Sequence, residues 1–93
     1  MQVQQEDNGK KGVFYVEVDG KREALMTYTW AGENKIIIDH TEVGDLLRGK
    51  RVGYKLVEAS VDFARKNGVK ILPLCPFAKA VFDRTSSYKD VLV

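Results

Sequence analysis

The chain of 93 residues contains one cysteine, one histidine, two prolines and one tryptophan. No apolar run approaches the roughly 18 residues needed to cross a bilayer. Cys75 alone cannot close an internal disulfide, and with His40 as the single imidazole there are too few soft ligands for a structural zinc site, so no metal is expected. Met1 to Gly12 is polar and lacks the apolar segment of a signal peptide. The expectation is a cytoplasmic chain with no membrane partner. Fifteen Lys and Arg against 13 Asp and Glu leave a net charge of +2, well short of the one-sided excess typical of nucleic-acid binders, so no nucleic acid is expected either. The length leaves room for one core, and residues 1–93 read as a single domain held together by packing.

Met1 to Lys11 is rich in Gln, Glu, Asp, Asn, Gly and Lys, and reads as a flexible lead-in with order beginning near Gly12. Val13 to Val18 is dense in β-branched and aromatic residues, and Asp19-Gly20 supplies a tight hairpin turn into a second strand, Lys21 to Trp30. After a turn at Ala31 to Asn34, Lys35 to Val43 reads as a third strand whose three isoleucines suggest burial on both faces. From Val52 to Asn67 the apolar residues recur at helical spacing, with Arg51, Lys55, Glu58, Asp62, Arg65 and Lys66 on one narrow polar arc; Gly68 ends the helix. Val69 to Leu74 reads as a fourth strand, parallel to the third by a right-handed crossover, with pairing weakened at Pro73. Pro76 opens a short helix to about Arg84, with Cys75 at its N-cap. The expected fold class is therefore α/β (α+β): a three-stranded antiparallel meander, a helix, a parallel fourth strand and a short helix, in the order βββαβα.

The stretch from Val43 to Gly53 joins the third strand to the main helix. Arg48, Lys50 and Arg51 crowd the helix end that the macrodipole already makes positive, which costs a few tenths of a kcal/mol each, roughly, unless an anion is present. Free backbone amides at the same end favour an anion, and Gly49 and Gly53 allow close backbone approach, so phosphate or pyrophosphate is the fitting ligand. A solvated basic loop is the competing reading. Gly49 and Gly53 enclose three residues and are followed by Tyr54-Lys55, so neither the Walker loop, the dinucleotide fingerprint nor the two-residue KH clamp fits.

The strand Ile36 to Val43, the loop Arg48-Gly49-Lys50-Arg51-Val52-Gly53 and the helix after it resemble the acetyl-CoA signature of the GNAT superfamily of N-acetyltransferases, Arg/Gln-x-x-Gly-x-Gly/Ala. Arg51 departs from that pattern by standing where the middle glycine belongs. Asp39-His40-Thr41-Glu42-Val43, Cys75-Pro76-Phe77-Ala78-Lys79 and Ser87-Tyr88-Lys89-Asp90-Val91 are similar to its short bacterial single-domain branch, so the resemblance covers residues 12 to 92. It implies a reduced GNAT-like core whose third and fourth strands part to make a slot for the pantetheine arm of acetyl-CoA. Backbone groups near Glu42 and Val43 would bond that arm, while Arg48, Gly49 and the amides of Lys50, Arg51, Val52 and Gly53 would hold the pyrophosphate. The elements that build an acceptor pocket in larger members are missing, which implies an open acceptor site or one completed by a homodimer.

Acetyl transfer to an amine, whether a small molecule or a protein side chain, needs the amine deprotonated and the departing thiolate protonated. His40 and Glu42 lie two apart on one strand, share a face and are the candidate bases; imidazole, with a reference pKa of about 6.5, suits neutral pH better than a carboxylate. Asp39 and Thr41 face the other way and read as structural. Cys75 at a helix N-terminus is the candidate nucleophile, and the resemblance places it at the thioester end of the slot; a small buried hydrophobe is the competing reading. Tyr88 is a candidate proton donor to the leaving thiolate, with packing on the core the favoured reading, and Trp30, Phe63, Phe77 and Phe82 read as core. A CoA-binding module with little turnover is the first alternative function, and a small RNA-binding domain using Lys50, Arg51 and Lys55 the second.

Overall fold

The computed structural model describes residues 2–93. Its strands are β1 (Gln4–Asp7), β2 (Lys11–Val18), β3 (Lys21–Trp30), β4 (Lys35–Val43) and β5 (Lys70–Pro73); its helices are α1 (Val52–Asn67) and α2 (Pro76–Arg84). Short 3₁₀ turns cover Asp45–Leu47 and Ser86–Val91. The five strands form one sheet in sequential order, antiparallel throughout except for the parallel β4–β5 pair. The α+β architecture, the meander, the crossover helix and the parallel strand after it are as the sequence patterning implies.

The core lies between one face of the sheet and both helices. Phe14, Met26, Tyr28, Ile36, Ile38 and Ile71 from the strands meet Leu56, Val57, Val61, Ala78 and Phe82 from the helices in one cluster. Val52 and Asn67 bound α1 as expected. Its last turn closes on Gly68 at φ 66°, whose N–H reaches Ala64 C=O, because glycine enters the left-handed region without steric cost.

The first correction concerns the N-terminus. Gln4–Asp7, within the segment expected to be a flexible lead-in, is an edge strand paired with Gly12–Tyr15. Its four residues are exposed, and polar hydrogen bonds rather than buried apolar side chains hold it to the sheet. The Tyr28 hydroxyl, on a residue only 1% exposed, donates to Asp7 Oδ2 (2.6 Å) and accepts from Gln5 Nε2 (2.8 Å); Trp30 Nε1–H donates to the same Asp7 oxygen (2.8 Å). Burial, followed by the bond to the Asp7 carboxylate, pushes the Tyr28 phenol well above the usual tyrosine range. Gly12 is required beneath it, since a Cβ there would fall on the Tyr28 ring.

The second correction concerns the third strand of the meander, β4. Its register against β3 passes from Tyr28↔Ile38 to Thr27↔His40, which leaves Asp39 as an extra, bulged residue. One inserted residue inverts the alternation for everything after it. Thr41 and Val43 therefore share the core face with Ile36 and Ile38, and His40 and Glu42 turn to the opposite face, which neither helix covers. Asp39 Oδ2 accepts a hydrogen bond from the Thr29 hydroxyl (2.8 Å).

Candidate functional site

Strands β4 and β5 pair only from Lys35↔Lys70 to Ile38↔Pro73. At that point the Leu74 and Cys75 amides both bond Ile38 C=O (3.1 Å each), and the chain leaves the sheet to start α2. Beyond it, the outer edge of β4 from Asp39 to Val43 has no strand partner among the described residues. The Gly44 N–H bonds Glu23 C=O on β3, so by alternation the Glu42 backbone faces β3 too, while the backbone groups of Thr41 and Val43 face the open edge. Of the two residues whose backbone was expected to bond the cofactor arm, Glu42 therefore faces β3, while Val43, together with Thr41, faces the open edge.

A cavity of about 400 Å³ occupies the space so opened. Thr41, Val43, Leu47, Arg48, Gly49, Arg51, Val52, Gly53, Tyr54 and Phe77 line it, so the free β4 edge, the basic loop and the first turns of both helices converge on one space. Of the candidate cofactor residues, Val43, Arg48, Gly49, Arg51, Val52 and Gly53 are brought together here. Lys50 is not: it is exposed, and its amide is already bonded to Leu47 C=O (3.2 Å). Cys75 sits one residue behind the wall, 5% exposed, with Sγ–H donating to Thr41 Oγ1 (3.3 Å).

The α1 entrance presents uncapped backbone donors. The first helical hydrogen bond is Lys55 N–H to Arg51 C=O (3.3 Å), which leaves the amides of Arg51, Val52, Gly53 and Tyr54 ahead of it, and no side chain caps them. Gly49 at φ 82° and Arg51 at φ 61°, ψ 28° bend the chain into the helix; both are left-handed, and for arginine that conformation costs about 1–2 kcal/mol. Glycine at position 51 would adopt it freely, which is the physical reason a glycine suits that place. Arg48 is held by Asp45 (3.0 Å). Gly53 lies under Phe77, whose ring atoms would stand 2.6 and 2.8 Å from a Cβ, so the absence of a side chain lets α1 and α2 close the cavity floor.

His40 and Glu42 are together as the alternation implies, with His40 Nε2 3.5 Å from Glu42 Oε2, but both are exposed and on the far side of the sheet from the cavity. Thr41, Leu47, Tyr54 and Phe77 are cavity residues that sequence reasoning assigned to structure or passed over. For Thr41 the missing signal was the bulge; for Phe77 and Tyr54 an apolar ring at helical spacing reads as core whether or not it also borders a cavity.

A family model described as GCN5-related N-acetyl-transferase matches residues 13–91. Protein NATD1 of Gallus gallus is 30% identical over 74 residues, covering 78% of this chain and 67% of that one. The NMR structure of a GCN5-like protein from Staphylococcus aureus superposes with a TM-score of 0.77 at 39% identity, covering 99% of this chain and 87% of its own. AAC(6')-Iy, whose structure was solved with a CoA-containing bisubstrate analogue, shares the fold at 11% identity and a TM-score of 0.56, over 87% of this chain and 62% of its own. The chain with the uncapped helix entrance beside a free strand edge belongs to the GCN5-related N-acetyltransferase family.

Proposed function

We propose that the chain is an N-acetyltransferase that draws its acetyl group from acetyl-CoA and passes it to an amine. One observation carries this reading: four uncapped amides at the α1 entrance and the free β4 edge open onto a single apolar-walled cavity. The donor set fits a molecule with a diphosphate at one end and an amide-bearing arm at the other. Amides of Arg51 to Tyr54 would hold the pyrophosphate, backbone groups of Thr41 and Val43 would bond the pantetheine arm, and Leu47, Val52 and Phe77 would exclude water from it. Acetyl-CoA, when bound, supplies the acetyl group as an activated thioester.

The amine reaches the junction of β4 and β5 from the uncovered face of the sheet, where His40 and Glu42 stand. His40 Nε2 takes the proton that the amine must lose, and Glu42 Oε2 beside it stabilises the resulting imidazolium. Cys75, at the first turn of α2 and bonded to Thr41, is the nucleophile-class side chain this reading assigns to the donor side.

Isothermal titration with acetyl-CoA, followed by a free-CoA release assay over a panel of small and polypeptide amines, tests the proposal. Saturable binding and amine-dependent release are expected. Tight binding without release above hydrolysis for any amine would make the protein a CoA-binding module instead, and no binding at millimolar acetyl-CoA would remove both readings.

A further inference from the structure

Two cations converge on one aromatic ring at the rim of the cavity. The Arg51 guanidinium lies over the Tyr54 ring, 4.8 Å from its centroid, and Arg84 Nη2, from the last turn of α2, lies 3.4 Å from the Tyr54 hydroxyl. Tyr54 is itself fixed edge-to-face against Phe77, with centroids 5.7 Å apart. Neither guanidinium forms an ion pair with a carboxylate among the described residues, whereas Arg48 next to them is neutralised by Asp45. Arg51 also sits at the positive end of α1 in a left-handed conformation. Both guanidinia are exposed, so an anion seated beside Tyr54 at the positive end of α1 meets two cations that no carboxylate has already neutralised.

We propose that Arg51, Tyr54 and Arg84 form a phosphomonoester subsite, separate from the amides of the α1 entrance, that recognises the 3′-phosphate on the nucleotide end of the donor. The subsite rests on the acetyl-CoA reading above and goes beyond it, because the entrance amides bind a diphosphate whether or not the ribose carries a third phosphate. A phosphomonoester presents three acceptor oxygens at about two negative charges, which suits two guanidinium forks arriving from different helices. The Tyr54 ring between them holds both forks in place and offers its hydroxyl to the same group.

The experiment is isothermal titration of the full chain with CoA and with dephospho-CoA, which differ only in the 3′-phosphate, for wild type and Arg84→Ala. Charge-assisted hydrogen bonds of this kind correspond to about tenfold or more in affinity, so wild type should prefer CoA by at least that factor. Arg84→Ala should bring the two ligands within about threefold by weakening CoA alone. Arg84→Gln repeats the measurement with a side chain that preserves packing, and thermal unfolding of each variant checks that the fold is intact. Equal weakening of both ligands, or no change in either, overturns the subsite while leaving the donor assignment standing. Failure of wild type to bind either ligand overturns the donor assignment and the subsite with it.

Discussion

At the scale of single residues, Arg51 is where sequence and backbone disagree. The departure from the family pattern is visible as a letter in the chain, but its cost is visible only in the dihedral angles. Arg51→Gly removes the left-handed penalty of about 1–2 kcal/mol and adds back part of it as extra freedom of the unfolded chain, about 0.5–1 kcal/mol, for a net gain of about 0.5 kcal/mol. Thermal unfolding should therefore shift upward by about 2–4 °C. The same change removes one of the two cations that meet at Tyr54, so titration with CoA should show weaker binding. A variant both less stable and unchanged in affinity would contradict the account. Thr41 and His40 show the opposite kind of disagreement. Strict alternation along Lys35–Val43 reads Thr41 as structural and His40 as facing into the site; the single extra residue at Asp39 exchanges the two faces. No local pattern announces that bulge, because it is defined by how many residues of β3 stand opposite.

At the scale of elements, the strands and helices that bury apolar side chains were legible from periodicity, and β1 was not, because its inward residues Gln5 and Asp7 are polar. What holds β1 is their geometry against Tyr28 and Trp30, partners more than 20 residues away in sequence. That dependence has a pH signature. Partial burial raises the Asp7 pKa, but hydrogen bonds from the Tyr28 hydroxyl, the Gly9 amide and the Trp30 indole outweigh it, and the carboxyl sits below its ordinary range. A carboxyl with a depressed folded-state pKa contributes stability that is complete above its unfolded pKa of about 3.9 and is lost as pH falls through the folded value. Asp7→Asn should be less stable than wild type at pH 7 in urea unfolding, and the gap should narrow below about pH 4 as wild-type Asp7 protonates. A gap that stays constant to pH 2.5 would show that the Asp7 charge does not hold the strand.

At the scale of the whole molecule, the sheet divides the proposed chemistry between its two faces. The helix-covered face holds the cavity and the uncapped amides, the uncovered face holds His40 and Glu42, and β4 and β5 part between them beyond Ile38 and Pro73. The loop that the sequence singles out does border the cavity, since a basic loop before an amphipathic helix is a local signal. The acceptor side depends on the bulge and on which face the helices leave bare, and neither is local. This division makes donor affinity and turnover separable by mutation. His40→Gln leaves the cavity walls, the α1 entrance and the Thr41–Cys75 contact untouched, so the Kd for CoA by titration should stay within about twofold of wild type, while loss of a positioned base should lower kcat for the best amine by about 10²-fold or more. Glu42→Gln, which keeps the imidazole but removes the charge beside it, should produce a smaller loss in kcat with the same unchanged Kd. If His40→Gln instead weakens CoA in proportion to the lost rate, the two faces are not independent and the base must be sought among the cavity residues. If neither variant changes kcat, proton removal from the amine occurs in solvent and the uncovered face serves only to admit the acceptor.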